Sequence, residues 1–404
     1  MSILSGKNIL LAVTGSIAAY KAADLASRLT QAGAQVDVLL TPAAEKFITP
    51  LTFQSVTGRK AFTDADLWGG EAHILHVGLG HGADLLVVAP ATASTLAKMA
   101  HGIADNLVTI TALAARCPIL VAPAMDAGMY EHPATQANVK TLLGRGVVVA
   151  GPVEGRMASG LVGLGRFMDP ADLLGHIRLL LGSGGRLAGR KVVVTAGGTQ
   201  EPIDPVRAIT NRSSGKQGYA LAQAALDAGA QVTLVSAPVS LPAPIGALLV
   251  PVRSAQEMLE AVVTRAAGTD VLIMAAAVAD FRPASRAAQK LKKRDGIPQL
   301  HLETAPDVLA AVAGMGKQRP RVVVGFAAES RDLLENAAEK LKAKHLDLIA
   351  ANDISAPDSG FEVDTNRITL LYAGGAREEL PLMGKEEAAQ AIIERIAGSM
   401  ETSS

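Results

Sequence analysis

Continuous apolar runs alternate with amphipathic stretches along the chain. Residues 8–13 form the first apolar run, as expected for a strand that is buried on both faces of a sheet. A helix is predicted from Ser16, as its N-terminal cap, to about Gln31, with Gly33 ending it. Further strands are predicted at residues 36–40, 84–89, 118–122 and 147–150. Such alternation predicts a parallel sheet covered by helices.

The same alternation restarts after a glycine-rich segment that begins at Leu181. We therefore predict a first domain at residues 1–181, a linker at residues 182–189 and a second domain at residues 190–404. Strands of the second domain are predicted to follow residue 191 and to lie near residues 232–236, 271–275, 322–326 and 347–350. The predicted fold class is α/β, with two doubly wound, Rossmann-like domains.

Composition agrees with this division and excludes some kinds of partner. A chain of 404 residues is too long for one ordinary core. Lys plus Arg and Asp plus Glu both number 38, so no net charge attracts the chain to nucleic acid or to an anionic membrane. The single cysteine, Cys117, allows no internal disulfide, which fits a reducing compartment. We interpret the apolar N-terminus as a strand, not a signal peptide, and expect a cytoplasmic enzyme.

Small hydroxyl residues and glycine follow the predicted strands of the first domain. In open parallel sheets, ligands bind beyond the carboxyl ends of the strands, and helix N-termini there favour phosphate. Gly15 and Ser16 follow the first strand, Thr41 the second, and Ser94 the third. We predict that these four residues contact a phosphate-bearing ligand.

A dinucleotide-binding domain of a dehydrogenase is the general alternative for such a fold. The turn after the first strand lacks the G-x-G-x-x-G pattern, and the second strand ends in Thr41 where an acid would hold a ribose. A mononucleotide therefore fits better.

The first domain also resembles the flavin-dependent cysteine decarboxylase family, from about residue 7 to residue 169. The motifs are PATAST, PAMDAGMY and GRMASGLVGLGR, with His76 in HVGLGHGAD. The resemblance implies a trimer that binds FMN and decarboxylates 4'-phosphopantothenoylcysteine through a thioaldehyde. It assigns His76 as the general base, a task that suits imidazole at neutral pH.

Two positions depart from that family's pattern, in which an Asn helps to hold the substrate carboxylate and a Cys supplies a proton. This chain has Asp126 and Ser159 there. An ionised Asp126 would repel a carboxylate, and a serine is a much weaker acid than a cysteine. An altered catalyst, a slow one and a flavin-binding assembly domain therefore all stay open.

A long polar insertion, GTQEPIDPVRAITNRSSGKQGYA, follows the first strand of the second domain. Long connections of this kind are commonly functional, and the basic and hydroxyl residues favour an anion. The spacing is not that of a P-loop, and a solvated surface loop is the alternative. A second cluster follows at residues 275–283, with lysines at 290, 292 and 293.

These segments, with VVVGFAAES and LIAAND, resemble 4'-phosphopantothenate–cysteine ligase over residues 190–371. The resemblance implies a dimeric domain that uses CTP and Mg²⁺ to form an acyl-cytidylate, which the amine of cysteine attacks. Lys290 would neutralise charge as that intermediate forms, and Asn211 would hold it. The nucleotide would contact Met274, Ala275, Ala276, Asp280, Lys290, Pro306, Asp307, Val308, Leu309, Phe326, Lys340 and Lys344. Mg²⁺ is expected to be held mainly by the triphosphate.

Overall fold

The structure, a computed structural model, describes residues 2–68, 72–292, 297–329, 332–353 and 365–401. Lys293, part of the predicted lysine cluster, lies outside the described residues. The chain divides into two units, Met1–Leu181 and Gly182–Ser404, which are described separately below.

In the described part of the first unit, a parallel sheet has the strand order β3-β2-β1-β4-β5-β6. An antiparallel pair, β7 and β8, lies outside this sheet. The elements up to residue 182 are β1 (Asn8–Val13), α1 (Ala19–Gln31), β2 (Gln35–Leu40), α2 (Pro50–Thr57), β3 (Ala61–Phe62), α3 (Ala72–Gly82), β4 (Leu85–Ala91), α4 (Ala93–His101), α5 (Leu107–Ala114), β5 (Ile119–Pro123), α6 (Ala127–Glu131), α7 (Pro133–Gly144), β6 (Val148–Val149), β7 (Val153–Arg156), β8 (Val162–Arg166) and α8 (Pro170–Gly182).

The apolar run of β1 is continuous because both of its faces are covered. Ile9, Leu11 and Val13 pack into one core with residues of α1 and α8, while Leu10 and Ala12 pack into another with α4, α5 and α7. Period-two alternation of side chains across the sheet explains this division. The strand and its register with β2 and β4 therefore follow directly from the sequence pattern.

The ends of α1 differ in how well they were predicted. Gly33, which ends the helix, has φ +94°. The N–H of Gly33 donates to the carbonyl of Thr30 and that of Ala34 to the carbonyl of Leu29, which is the Schellman arrangement. The predicted N-cap is wrong: the helix begins at Ala19, and the hydroxyl of Ser16 instead accepts from the N–H of Ala18 at 3.2 Å. The residues between Ser16 and Ala19 form a turn, which frees Ser16 from the helix.

In the described part of the second unit, an eight-stranded sheet has the order β13-β12-β9-β14-β17-β18-β20-β21. Its first six strands are parallel, and β20 and β21 add antiparallel at one edge. The elements are β9 (Lys191–Ala196), β10 (Gln200–Pro202), β11 (Ala208–Thr210), α9 (Lys216–Asp227), β12 (Gln231–Ser236), β13 (Leu248–Pro251), α10 (Ala255–Ala266), β14 (Val271–Met274), β15 (Phe281–Pro283), β16 (Leu302–Thr304), α11 (Val308–Ala313), β17 (Val322–Glu329), α12 (Leu333–Ala343), β18 (Leu348–Asp353), β19 (Thr365–Asn366), β20 (Ile368–Tyr372), β21 (Arg377–Glu379), β22 (Met383–Gly384) and α13 (Lys385–Glu401).

Both parallel sheets have the same winding. In each, the first strand along the chain lies at the centre, the next two strands add on one side and the following three on the other. This is the doubly wound arrangement of the Rossmann fold, so the predicted fold class is confirmed. Among the described residues, none of the helices has the length and apolar character needed to cross a membrane.

The predicted linker, residues 182–189, is structured and groups with the second unit. Leu187 is 1% exposed, and its N–H donates to the carbonyl of Ala228 at 2.7 Å. Gly185 lies against the same residue, where an added Cβ would be 2.4 Å from that carbonyl oxygen. Gly182 and Gly185 of this predicted linker are therefore required by close packing.

Gly218 lets α9 pack directly on β9. A Cβ at this position would lie 2.6 Å from the Cβ of Ala196 and 2.8 Å from the carbonyl oxygen of Thr195. Gly218→Ala should therefore destabilise the protein by about 1–3 kcal/mol, although alanine is the better helix former.

Urea denaturation followed by circular dichroism would measure this change. Gly398→Ala in α13 is the matched control, because its Cβ would meet only the guanidinium end of Arg186, at 3.7 Å. That control should be neutral or stabilising by up to about 1 kcal/mol. Equal effects of the two substitutions would contradict the packing argument.

Candidate active sites

The loops after β1 and β4 are joined at the carboxyl edge of the first sheet by Thr14. This residue is 1% exposed. Its hydroxyl donates to the carbonyl of Pro90 at 2.6 Å and accepts from the N–H of Thr92 at 3.1 Å. These strands neighbour each other at the point where the strand order reverses, which is where ligands bind in open parallel sheets.

Three of the four predicted phosphate contacts lie in the loops after β1 and β2. A Cβ at Gly15 would be 2.4 Å from the Cβ of Ala43, so only glycine lets these two loops approach. Thr41 is 7% exposed, and its hydroxyl accepts from the N–H of Ala44 at 3.2 Å. Ser16 is half-buried. The structure thus gives Gly15 and Thr41 a packing role of their own.

Ser94 lies in the first turn of α4, where backbone N–H groups lack partners within the helix. The hydroxyl of Thr92 caps this helix by accepting from Thr95 N–H at 3.4 Å. Ser94 is exposed, and among the described residues no hydrogen bond involves its hydroxyl. A hydroxyl at a helix N-terminus, with Ser16 in the loop after β1, is a donor set that fits a phosphate monoester.

His76 lies in α3. Its Nδ1 is buried and has no hydrogen-bond partner among the described residues. Since a buried polar atom without a partner costs free energy, an external donor or acceptor would improve this environment. The helix itself is closely packed, because a Cβ at Gly80 would lie 3.1 Å from the carbonyl carbon of Ala114 in α5.

Asp126 and Ser159 contact each other. The hydroxyl of Ser159 donates to Oδ2 of Asp126 at 2.8 Å, and the N–H of Gly128 donates to Oδ1 at 3.1 Å. Asp126 is half-buried as the N-cap of α6, and Ser159 is exposed. The two departures from the decarboxylase pattern therefore form one hydrogen-bonded pair.

Glycines of β8 explain how this pair is brought together. A Cβ at Gly165 would lie 2.4 Å from the carbonyl oxygen of Met125, and one at Gly163 would lie 2.9 Å from the Cβ of Ala127. The N–H of Met125 also donates to the carbonyl of Gly165 at 3.0 Å. The glycine-rich motif thus lays the β7–β8 hairpin on the loop that carries Asp126.

Cys117 lies apart from this pair, beside the apolar core that includes β4 and β5. Burial raises the pKa of its thiol, which makes it a weaker proton donor. The interpretation of Cys117 as a structural residue is consistent with these surroundings.

A cavity of about 1040 Å³ opens at the carboxyl edge of the second sheet. It is larger than most small-molecule pockets, which hold one ligand. Its walls include every residue predicted to contact the nucleotide except Lys290, namely Met274, Ala275, Ala276, Asp280, Pro306, Asp307, Val308, Leu309, Phe326, Lys340 and Lys344.

Two lysines of the cavity are held in place by hydrogen bonds. Lys340 Nζ donates to the carbonyl of Phe326 at 2.9 Å, and Lys344 Nζ to Oδ2 of Asp307 at 2.5 Å. Burial raises the pKa of Asp307, but the hydrogen bonds from Lys344 and from the N–H of Ala310 outweigh it, so the pKa lies below its usual range. Asp307 therefore stays ionised and keeps Lys344 beside the cavity.

The loop after β14 is held by two buried threonines of the neighbouring segment. Thr195 Oγ1 accepts from the N–H of Ala276 at 3.1 Å, and Thr199 Oγ1 from that of Ala279 at 2.9 Å. Both threonines are fully buried. The role of Thr199 was not predicted, because a hydroxyl within a polar insertion gives no sign of burial.

Asn211 and Lys290 are not part of the cavity wall. The side-chain amide of Asn211 donates to the carbonyls of Ala277 and Val278, each at 3.3 Å, so it lies against a segment that lines the cavity. Lys290 is exposed on an irregular segment after β15. The structure therefore brings Asn211, but not the side chain of Lys290, to the predicted nucleotide site.

Two buried polar residues from the end of the chain line the cavity without having been predicted. Asn366 is 2% exposed and Lys385 is 7% exposed. The amide of Asn366 donates to Gln217 Oε1 at 2.7 Å, and Gln217 donates to the carbonyl of Lys385 at 3.4 Å. A lysine at the start of an amphipathic helix gave no signal that distinguished it from a surface residue.

Clusters of three or more His, Cys, Asp or Glu side chains suited to a metal are absent from the described ranges.

Two family models match the chain. One, described as Flavoprotein, matches residues 2–181, and the other, described as DNA/pantothenate metabolism flavoprotein C-terminal domain, matches residues 187–400.

Full-length relatives have one name in common. The chain is 44% identical over 398 residues to the Coenzyme A biosynthesis bifunctional protein CoaBC of Bacillus subtilis (strain 168), with 98% of each chain covered. It is 46% identical over 398 residues to the protein of that name from Vibrio vulnificus (strain CMCP6), again with 98% of each covered. A crystal structure of the C-terminal domain of CoaBC is 38% identical, covers 54% of this chain and 99% of its own, and gives a TM-score of 0.47.

The ion pair between Lys344 and Asp307 should stabilise the second unit in a pH-dependent way. A carboxyl group with a depressed pKa contributes stability above its unfolded pKa, and this is lost as pH falls through the folded pKa. Lys344→Met should lower the free energy of unfolding by at most about 1 kcal/mol at neutral pH, because the pair is partly exposed. The difference should shrink as pH falls below about 4.

Thermal or urea unfolding at several pH values would measure this difference. Lys342→Met is the matched control, since it removes an exposed lysine of the same helix. A loss for Lys344→Met that stays constant between neutral and acid pH would contradict the assignment to Asp307.

Proposed function

This chain belongs to the family of coenzyme A biosynthesis bifunctional proteins, and we propose how its two units carry out their reactions. It is an enzyme of coenzyme A biosynthesis with phosphopantothenate–cysteine ligase and phosphopantothenoylcysteine decarboxylase activities. The second unit ligates cysteine to 4'-phosphopantothenate with CTP, and the first unit decarboxylates the product with FMN. The observation that carries the proposal is the cavity of the second unit, whose wall brings together predicted nucleotide contacts from Met274 to Lys344.

The ligase reaction requires activation of a carboxylate, which is by itself a poor electrophile. The carboxylate of 4'-phosphopantothenate attacks the α-phosphate of CTP, so a bond forms from the carboxylate oxygen to phosphorus and pyrophosphate leaves. The amine of cysteine then attacks the acyl carbon, CMP leaves with the bonding electrons, and the amine loses a proton. A cavity of about 1040 Å³ has room for a nucleotide and a second substrate.

The residues of this cavity suit a polyanion and a carbonyl. Lys340 and Lys344 supply positive charge for the triphosphate, and Mg²⁺ bound to the triphosphate supplies more. Asp280 is exposed in the wall and offers a carboxylate to the ribose or to a metal-bound water. Asn211 holds the acyl-cytidylate through its side-chain amide, and Lys290 neutralises the charge that develops as it forms.

The first unit would hold FMN at the carboxyl edge of its sheet. Ser16 and Ser94 are the hydroxyls that bind its phosphate, with the N-terminus of α4, while Gly15 and Thr41 shape the loops. FMN held there would supply two-electron redox chemistry, which allows reversible oxidation of the cysteinyl thiol to a thioaldehyde.

The residues of this unit have tasks around that cofactor. His76 accepts the thiol proton, since its Nδ1 lacks a partner within the described chain. Asp126 accepts the hydroxyl hydrogen of Ser159 and so holds this side chain in place. To protonate the substrate, the hydroxyl would turn its single hydrogen away from Asp126.

A second candidate for the first unit is a flavin-binding assembly domain without decarboxylase activity. The observation that favours it is that both oxygens of Asp126 accept hydrogen bonds, as an ionised carboxylate does. Such a charge would repel the carboxylate of the substrate.

From the family resemblance we also propose that the flavin units form trimers, that the ligase units form dimers, and that the protein lies in the cytoplasm.

A product mass spectrum would test the function of both units at once. The protein is incubated without air with FMN, 4'-phosphopantothenate, cysteine, CTP and Mg²⁺. Formation of 4'-phosphopantetheine is the expected result. Accumulation of 4'-phosphopantothenoylcysteine would support the ligase and reject decarboxylation. Absence of both products, with either CTP or ATP, would reject the function.

Lys290→Gln should slow ligation by about a hundredfold or more, and near-normal turnover would refute the role of Lys290.

The pair of Asp126 and Ser159 can be tested separately from flavin binding. Ser159→Ala should slow decarboxylation by about tenfold or more while the visible absorbance of bound FMN is unchanged. Ser55→Ala is the matched control, because among the described residues this exposed hydroxyl bonds only to the carbonyl of Leu51 in its own helix. A full decarboxylation rate in Ser159→Ala would show that its hydroxyl has no catalytic task.

A further inference from the structure

A buried carboxylate lies in the turn between β10 and β11. The side chain of Asp204 is 0% exposed. Its Oδ1 accepts from the N–H groups of Val206 and Arg207 at 2.9 and 2.8 Å. Its Oδ2 accepts from the guanidinium of Arg207, at 3.0 Å from Nε and 2.6 Å from Nη2. A buried charge requires such compensation, and here the turn itself supplies it.

Two further hydrogen bonds leave this turn and hold the backbone of one residue far away in sequence. The N–H of Leu291 donates to Oδ2 of Asp204 at 3.1 Å, and Nη2 of Arg207 donates to the carbonyl of Leu291 at 2.7 Å. The N–H of Ala287 also donates to the carbonyl of Ile203 at 2.9 Å. Residues 284–292 contain neither helix nor strand, so these bonds are a main restraint on the segment.

The ion pair keeps Asp204 a strong acceptor. The hydrogen bond from Arg207 lowers the pKa of this carboxyl far below its usual range, and those from backbone N–H groups act in the same direction against burial. An ionised carboxylate accepts stronger hydrogen bonds than a neutral group does. The bond to Leu291 therefore persists throughout the neutral range.

The β10–β11 hairpin thus connects two residues that we assign to the ligase reaction. Its second strand ends at Thr210 and leads directly into Asn211. Its turn holds Leu291, the residue next to Lys290. A purely local role of Asp204 in the turn would not require the contacts to Leu291.

We propose that Asp204 is a positioning residue for the ligase, which fixes Lys290 relative to Asn211 by binding the backbone N–H of Leu291. This inference rests on the proposed role of Lys290. It makes Asp204 part of the reaction without contact to substrate. Loss of the charge on Asp204 would let Lys290 move while the nucleotide cavity, whose wall does not include Asp204, stays intact.

Asp204→Asn tests this role, because asparagine has the same shape and lacks the charge. We expect kcat of ligation to fall by about tenfold or more, since misplacement of a catalytic group carries such a cost. The Kd of CTP should change by less than about twofold, as expected when only the reacting geometry is lost. Hydrogen exchange in a peptide covering residues 284–292 should become faster.

Asp270→Asn is the matched control. Asp270 likewise pairs with an arginine, Arg190, at 3.2 Å and accepts from a backbone N–H, that of Lys191, at 2.9 Å. It lies before β14 and makes no hydrogen bond to residues 284–292 within the described chain. Its loss should affect stability but neither the exchange of that segment nor kcat.

Leu291→Pro provides a second variant that leaves the pair of Asp204 and Arg207 in place. It removes the N–H that donates to Asp204, and it also fixes φ at position 291 and restricts the backbone of Lys290. It should reproduce the loss of kcat even if Asp204→Asn folds poorly. A double variant of Asp204→Asn and Lys290→Gln should be no slower than Lys290→Gln alone, because both changes remove the same contribution.

The outcomes separate this inference from the function on which it rests. Normal turnover of Lys290→Gln would refute the role of Lys290 and with it the positioning role. A slow Lys290→Gln with a normal Asp204→Asn would overturn the positioning role alone. The positioning role would also be overturned if Asp204→Asn were slow while hydrogen exchange of residues 284–292 stayed as in the wild type. It would be overturned as well if the two losses of kcat added fully in the double variant.

Discussion

Both units depend on one constraint. A parallel sheet wound outward from its centre leaves a crevice beyond the carboxyl ends of its first and fourth strands, because the chain leaves these neighbouring strands in opposite directions. In each unit, a buried threonine spans that crevice with its hydroxyl. Thr14 joins the loop after β1 to that after β4, and Thr195 joins the end of β9 to the loop after β14. A hydroxyl suits this position because it can donate to a carbonyl or accept from an N–H that the separating loops leave without a backbone partner. The loops that carry the candidate sites are thus fixed at their base.

This constraint also explains which parts of the fold could be predicted. Strands buried on both faces are continuous apolar runs, so residues 8–13 and 271–274 stand out whatever their neighbours are. The short pairs β10–β11 and β15–β16 contain polar and exposed residues and show no period. They form because loops at the sheet edge pair with one another, and such pairing is not visible in local sequence.

Candidate residues followed the same division. Those next to a strand end, such as Ser94 or Asp280, could be predicted because the winding brings all strand ends to one edge. Asn366 and Lys385, from the end of the chain, line the same cavity of the second unit as Asp280, and only the folded structure brings them there. The pairing of Asp126 with Ser159 also required the structure. Two departures that each weakened the case for decarboxylation are coupled, since one side chain accepts the hydrogen of the other.

The charges that line the cavity of the second unit limit how the proposed nucleotide would bind. Lys344 is already paired with Asp307, and Lys340 with the carbonyl of Phe326. A triphosphate that engages these lysines competes with existing partners, so each new contact contributes only the difference between two hydrogen bonds. Asp307 also caps α11 through its other oxygen, at 2.8 Å from the N–H of Ala310, and therefore cannot move away without loss to that helix. In the proposed complex, Lys344 would accordingly contact the phosphate and the carboxylate of Asp307 together. This shared geometry would favour a ligand that places its phosphates at one position along the cavity.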